Sequence, residues 1–129
     1  MAMTTAGDDK AFLGLPVIQD AVAAWSQKNF GDQVSKVTGV SLHSLAPLLG
    51  IVEEVGELTH AVLKRHQGIR GMDVPEVYEK ARDDALADIL VYLCDFAARE
   101  GVDLMGVLAS TWSQVSQRDW KVNPAGEGV

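Results

Sequence analysis

An all-α fold is what this chain predicts, and three observations predict it. Apolar residues recur at helical spacing in four separate segments. No stretch alternates cleanly enough to read as a strand. Glycines and an Asn-Pro pair fall where the periodic segments stop. Four helices with short later connections describe a four-helix-bundle-like domain.

Residues 1–12 read as a flexible polar leader, with the helical domain expected over 13–122. The first helix is expected from about Leu15 to Phe30, on Leu15, Ile18, Val22 and Trp25, and Gly31 ends it. A polar connection through Gly39 follows, with turn formers and a few β-branched residues. The second helix is expected from about Leu45 to His66. Ser44 is placed to cap it, and Pro47 falls in the first turn, where a missing N–H costs little. Gly68 and Gly71 bound a short loop. Asp73 and Glu76 stand at capping-box spacing before a third helix that should reach about Glu100, with Gly101 as its stop. A fourth helix should begin after Asp103 and continue to about Trp120, with Asn123-Pro124 preventing further extension. Residues 123–129 are expected to be a disordered tail. So thin a bundle buries limited surface, and oligomerisation is expected.

At 129 residues there is room for one core. An apolar fraction of 47% against 22% charged residues excludes a chain too polar to fold. Eighteen acidic against 11 basic residues give a net charge of −7. Nucleic-acid binding needs clustered Lys and Arg to replace phosphate counterions, so that class is excluded. A small anionic substrate is not, provided a divalent cation mediates the contact. The single cysteine, Cys94, cannot form an internal disulfide and reads as a small buried apolar residue. No run approaches the ~18 continuous apolar residues of a membrane span, and the first ten residues lack a signal-peptide pattern. A cytoplasmic protein with no membrane partner is the expectation.

The chemistry concentrates on the second and third helices. With Glu53 at 0° on a helical wheel, Glu57 falls at about 40°, His60 at about 340°, Lys64 at about 20° and Glu54 at about 100°. Val52, Val55, Leu58, Val62 and Leu63 take the far arc. With Asp84 at 0°, Asp88 falls at about 40°, Asp95 at about 20° and Tyr92 at about 80°. Leu86, Ile89, Leu90 and Leu93 point away. Both arcs can be read as solvated faces of amphipathic helices. Yet Glu53/Glu57 and Asp84/Asp88 are like-charged at i, i+4, which destabilises a helix by about 0.2–0.5 kcal/mol per pair. No Lys or Arg interrupts residues 84 to 98. A divalent cation would offset that repulsion, and an all-carboxylate set suits Mg²⁺ or Mn²⁺ far better than Zn²⁺.

The run Glu53-Glu54-Val55-Gly56-Glu57-Leu58, followed by Asp88-Ile89-Leu90-Val91-Tyr92-Leu93, resembles the EExxE…ExxD signature of the MazG-like nucleotide pyrophosphohydrolases. Leu48 to Val52 before the glutamates are similar to members of that family, as are Leu63-Lys64 and Gln67 to Arg70 after them and Arg118-Asp119-Trp120 near the end. The resemblance spans about residues 22–121. It implies an all-α MazG fold and a dimeric or tetrameric enzyme that splits a nucleoside triphosphate into the monophosphate and pyrophosphate. It also implies Glu54, Glu57 and Asp88 as Mg²⁺ ligands, with Glu53 as a further site carboxylate. The family's third glutamate aligns with Ala85, and the adjacent Asp84 is the candidate replacement, although it points about 100° away on an ideal helix. The Lys and Asn that many members carry before the terminal Arg are Thr111 and Val115 here, which leaves phosphate contacts from the last helix in doubt.

On this reading Glu53 orients the attacking water, and Lys64 and Arg70 are candidates for the leaving phosphates. Trp25, Asn29, Phe30 and His43 are candidates for the base pocket, with Tyr92 beside them. Each has a plainer alternative: solvated surface charge for Lys64 and Arg70, core packing for Trp25 and Phe30. Two competing functions stay open, a narrow-substrate pyrophosphohydrolase (dUTP, dCTP or phosphoribosyl-ATP) and a non-catalytic helical module that binds metal or nucleotide.

Overall fold

The computed structural model describes residues 14–126, and the leader expected over 1–12 lies outside them, as do residues 127–129 of the expected tail. Among the described residues four helices follow one another: α1 Leu15–Phe30, α2 Leu45–Gln67, α3 Pro75–Arg99 and α4 Leu104–Val115. Among the described residues there is no strand, only an isolated antiparallel bridge between Val34 and Ser41 in the α1–α2 connection.

Local chemistry sets the helix ends. Gly31 closes α1 at φ 55°, its N–H bonding the Gln27 carbonyl at 2.9 Å. Ser44 stands at the N-cap of α2 but its hydroxyl makes no cap bond. It donates instead to the Glu100 carboxylate, tying the start of α2 to the end of α3. The capping box expected at Asp73 and Glu76 does not form. Val74 is the N-cap and Pro75 opens the helix, so Asp73 sits one residue too early to cap it. Its carbonyl accepts from Arg65 Nη1 at 2.9 Å instead. Asp103 does cap α4, accepting from the Gly106 N–H at 3.2 Å. That helix stops at Val115 rather than Trp120. Asp119 Oδ1 takes the N–H groups of Lys121 and Val122 at 3.0 and 3.1 Å, a local alternative to continued helix. The chain then runs through turns, with Gly126 N–H bonding the Asn123 carbonyl at 3.1 Å.

The central element is α3, which packs against α2 most extensively and then against α1, while α4 leans on α1. The α2–α3 contact is built on a seam of small residues. Gly50, Glu54, Glu57 and Ala61 on α2 fall within about 60° of arc, and Ala81, Ala85, Asp88, Tyr92 and Asp95 on α3 within about 80°. Gly50, Ala61 and Ala85 are buried there, and a Cβ at Gly50 would overlap the Tyr92 ring. Small residues let the two backbones approach, and the carboxylates interleaved with them are carried into the seam.

The large apolar residues are on the other side. Val52 is 64% exposed, Leu90 56% and Val62 50%, with Val55, Leu63 and Leu86 comparably open. The apolar arc opposite the acidic face therefore looks outward within one chain. No described helix is long and apolar enough to cross a membrane.

Candidate active site between the second and third helices

Two cavities share the α2–α3 seam. The first, of about 360 Å³, is walled by Val22, Trp25 and Phe30 from α1, Gln33 and Ala46 from the connection and the start of α2, and Val91 and Tyr92 from α3. Glu54, Asp88 and Asp95 supply its acidic side. The second, of about 290 Å³, is bounded by Glu54, Glu57, His60, Asp84 and Asp88, with Ala61, Ala81, Ala85 and Met72. Glu54 and Asp88 belong to both. They stand where an aromatic pocket opens into an acidic cleft.

Electrostatics at that junction are unrelieved. The Glu54 carboxyl is held above its ordinary value, first by burial and then by repulsion from Asp88, Glu53 and Glu57. The Tyr92 phenol is also raised, by burial first and then by Glu53, Glu54, Asp88 and Asp95. Among the described residues no Lys or Arg lines either cavity. Such oxygen donors, repelling one another and unpaired, suit a hard divalent cation. Even so, among the described residues no three acidic, His or Cys side chains stand close enough together to hold one metal ion. The carboxylates share a cleft without converging on a point.

The candidate residues are therefore sorted by the fold. Glu54, Glu57, Asp84 and Asp88 come together around the acidic cleft. Asp84 is exposed and also engaged by Lys80, whose Nζ donates to its Oδ2 at 2.6 Å. Glu53 is exposed and lines neither cavity, although its charge acts on both Glu54 and Tyr92. Trp25 and Tyr92 do line the aromatic pocket, with Trp25 edge-on to Phe30 at 5.5 Å between ring centroids. Four expected members lie elsewhere. The Asn29 amide is spent on the Trp25 carbonyl one turn back, at 2.8 Å. His43 donates from Nε2 to the Arg99 carbonyl at 3.0 Å and lines a separate hollow with Ala23, Gln27 and Arg99. Lys64 donates to Gln67 Oε1 at 3.0 Å, and Arg70 stands on the α2–α3 loop at φ 60°, both outside the two cavities.

Sequence reasoning missed Gln33, Ala46 and Met72 as wall residues. The first two sit in or next to a connection without periodicity, so nothing in the residue pattern placed them. It also missed a buried cluster at the lower end of α3. Ser26 Oγ donates to Asp95 Oδ2 at 2.8 Å, and Arg99 donates to Asp95 Oδ1 at 2.9 Å, to Ser26 Oγ at 2.8 Å and to the Gly31 carbonyl at 2.8 Å. The i, i+4 spacing of Asp95 and Arg99 was a visible signal. This cluster locks α1 onto α3 and so holds Trp25 and Phe30 over the pocket.

No family model, no curated protein and no solved structure matches this chain. The assignment of function therefore rests on the residues and their geometry.

Proposed function

We propose that this protein is a Mg²⁺-dependent nucleoside triphosphate pyrophosphohydrolase that releases the monophosphate and pyrophosphate. One observation carries the reading: an aromatic-walled pocket of about 360 Å³, roomy enough for a base, opens through Glu54 and Asp88 into a cleft lined by four carboxylates. A base stacks on aromatic faces, and a polyphosphate enters an acidic cleft only in the company of divalent cations. The resemblance of Glu53–Leu58 and Asp88–Leu93 to the MazG-like signature supports the same chemistry.

Glu54, Glu57 and Asp88 would hold Mg²⁺ or Mn²⁺, with Asp84 as a fourth group once released from Lys80. When bound, the cation supplies charge neutralisation of the phosphates and polarisation of the α-phosphorus. The protein's own part is positional. Trp25, Phe30 and Tyr92 orient the base, and the seam keeps Glu54 and Asp88 at the pocket mouth. Glu53, outside the cleft but electrostatically coupled to Glu54, is the carboxylate left free to orient a water. Lys64 and Arg70 would need to swing to reach leaving phosphates. The outward apolar face formed by Val52, Val62 and Leu90 supports a homodimer or homotetramer, testable by sedimentation. The separation of the carboxylates favours, as a second reading, a non-catalytic nucleotide- and metal-binding module.

The deciding experiment is turnover of ribo- and deoxynucleoside triphosphates with Mg²⁺, scored for pyrophosphate against orthophosphate. Pyrophosphate plus monophosphate is expected. Orthophosphate plus diphosphate as first products would reject the reaction class, and nucleotide binding without turnover would select the non-catalytic reading.

A further inference from the structure

The aromatic pocket contains one polar group whose presence packing does not explain. Gln33 follows α1 by three residues and sits at φ 58°, a left-handed conformation that suits glycine and is adopted by the nearby Gly31 and Gly39. Its backbone is clamped on both sides. The Gln33 N–H bonds the Phe30 carbonyl at 3.0 Å, and its own carbonyl accepts from the Leu42 N–H at 3.1 Å. Ser41 Oγ adds a bond to the Asp32 carbonyl at 2.8 Å. The half-buried side chain is thereby aimed at the cavity wall it shares with Trp25, Phe30 and Tyr92.

The other polar groups around this cavity are committed or chemically one-sided. Both Asp95 oxygens are taken by Ser26 and Arg99. Glu54 and Asp88 are acceptors when ionised, and the Tyr92 phenol stands among those carboxylates. Gln33 alone presents, from one plane, an amide donor and a carbonyl acceptor, and neither has a hydrogen-bond partner among the described residues. A planar donor–acceptor pair beside stacked rings matches the edge of a nucleobase, where adjacent donor and acceptor atoms lie in the plane of the ring.

We propose that Gln33 is the residue that reads the base, its carboxamide hydrogen-bonding the nucleobase edge while Trp25 and Phe30 hold the ring. This rests on the nucleotide reading of the site given above. It also accounts for a glutamine in a backbone conformation that glycine would adopt without strain.

The test compares wild type with Gln33→Gly, which keeps the left-handed backbone and removes the amide, and with Gln33→Glu, which keeps length and leaves an acceptor only. Affinities for the α,β-imido triphosphates of adenine, guanine, cytosine and uracil are measured by calorimetry with Mg²⁺, beside kcat/KM for the hydrolysable nucleotides. For Gln33→Gly the spread between best and worst base should shrink about 10-fold in both readouts, the loss falling on the preferred base. For Gln33→Glu preference should move toward cytosine and adenine, whose exocyclic amines donate to a carboxylate. Unchanged base ratios in Gln33→Gly, or a wild type indifferent to base, would overturn the assignment. Base-selective binding without turnover would remove the proposed chemistry and leave Gln33 judged by the affinities. A wild type that binds none of the analogues would overturn the nucleotide reading and this assignment with it.

Discussion

Asp88 and Asp95 lie seven residues apart on the same face of α3, and the protein treats them in opposite ways. Asp95 is buried, and each of its oxygens has a partner in Ser26 or Arg99. Asp88 is exposed at the junction of two cavities, facing Glu54 with no cation on either wall. Desolvating a carboxylate is tolerated when a guanidinium and a hydroxyl replace its water. Where no internal partner is supplied, repulsion stays in the apo protein and is available to a ligand that brings positive charge. The lower end of the seam is a structural lock, and the upper end is the proposed binding site.

Exchanging each carboxylate for alanine gives the largest contrast. Asp95→Ala strands the Arg99 guanidinium, whose side chain is 7% exposed, and should cost about 3–5 kcal/mol in denaturant unfolding. Asp88→Ala removes a repelling charge, so apo stability should be unchanged or slightly higher while nucleotide turnover is lost. Equal destabilisation by the two substitutions would erase the distinction between lock and site.

Divalent cation and pH probe the upper end alone. Saturating Mg²⁺ at a hundred times its Kd should add about 2.7 kcal/mol to wild-type stability, and much less to Asp88→Ala. The pH dependence follows from Glu54, whose folded-state pKa lies above its ordinary value of 4.5. The folded state therefore holds the proton more tightly than the unfolded chain. Its contribution to stability is fully present below the unfolded value and is lost as pH rises through the raised folded value. Thermal melts of the apo protein should show that loss, Glu54→Gln should lack it, and Mg²⁺ should suppress it. Identical melt-against-pH curves for wild type and Glu54→Gln would remove Glu54 from the centre of the site.

Gly50→Ala tests how closely the two helices must approach. The added Cβ would drive into the Tyr92 ring, so the variant should lose about 1–3 kcal/mol despite alanine's better helix propensity. Because Tyr92 walls the proposed base pocket, KM should rise more than kcat falls. A variant as stable as wild type would mean the ring moves aside freely.

The smallest effect belongs to Asp84. Its ion pair with Lys80 is exposed on both sides, 76% and 61%, so water screens it and it adds little to stability. Lys80→Ala should hardly change stability but should tighten Mg²⁺ by freeing Asp84, whereas Asp84→Ala should weaken it. Calorimetric titration with Mg²⁺ separates the two, and matching affinities in both variants would exclude Asp84 from the cation's shell.

Much of this protein was legible along the chain. Periodicity and glycine stops placed α1 and α2 to within a residue, because those signals act locally. Glu54, Glu57 and Asp88 were singled out by spacing and resemblance, and the fold brings them around one cleft. The misses were positional. The α3 cap shifted because Val74 takes the N-cap and Pro75 the first helical position, and α4 ended early as the chain after Val115 tightened into i→i−3 bonds from Gln117 and Arg118. His43 and Asn29 were assigned to a base pocket by residue type, but each spends its side chain on a nearby carbonyl.

What the sequence by itself determined is the helical periodicity, the acidic balance and the like-charged carboxylate pairs at i, i+4, all properties of neighbours within a turn or two. Only the tertiary structure decided which arc of α2 faces α3. The small residues Gly50, Ala61 and Ala85 permit close approach on the acidic side, so the seam forms there and Val52, Val62 and Leu90 are left facing outward. It also decided that Asp95 has a partner sixty-nine residues away in Ser26 while Asp88 has none. Burial and partnership depend on which surfaces meet, and a carboxylate's environment is set by the helix opposite rather than by its place in the chain.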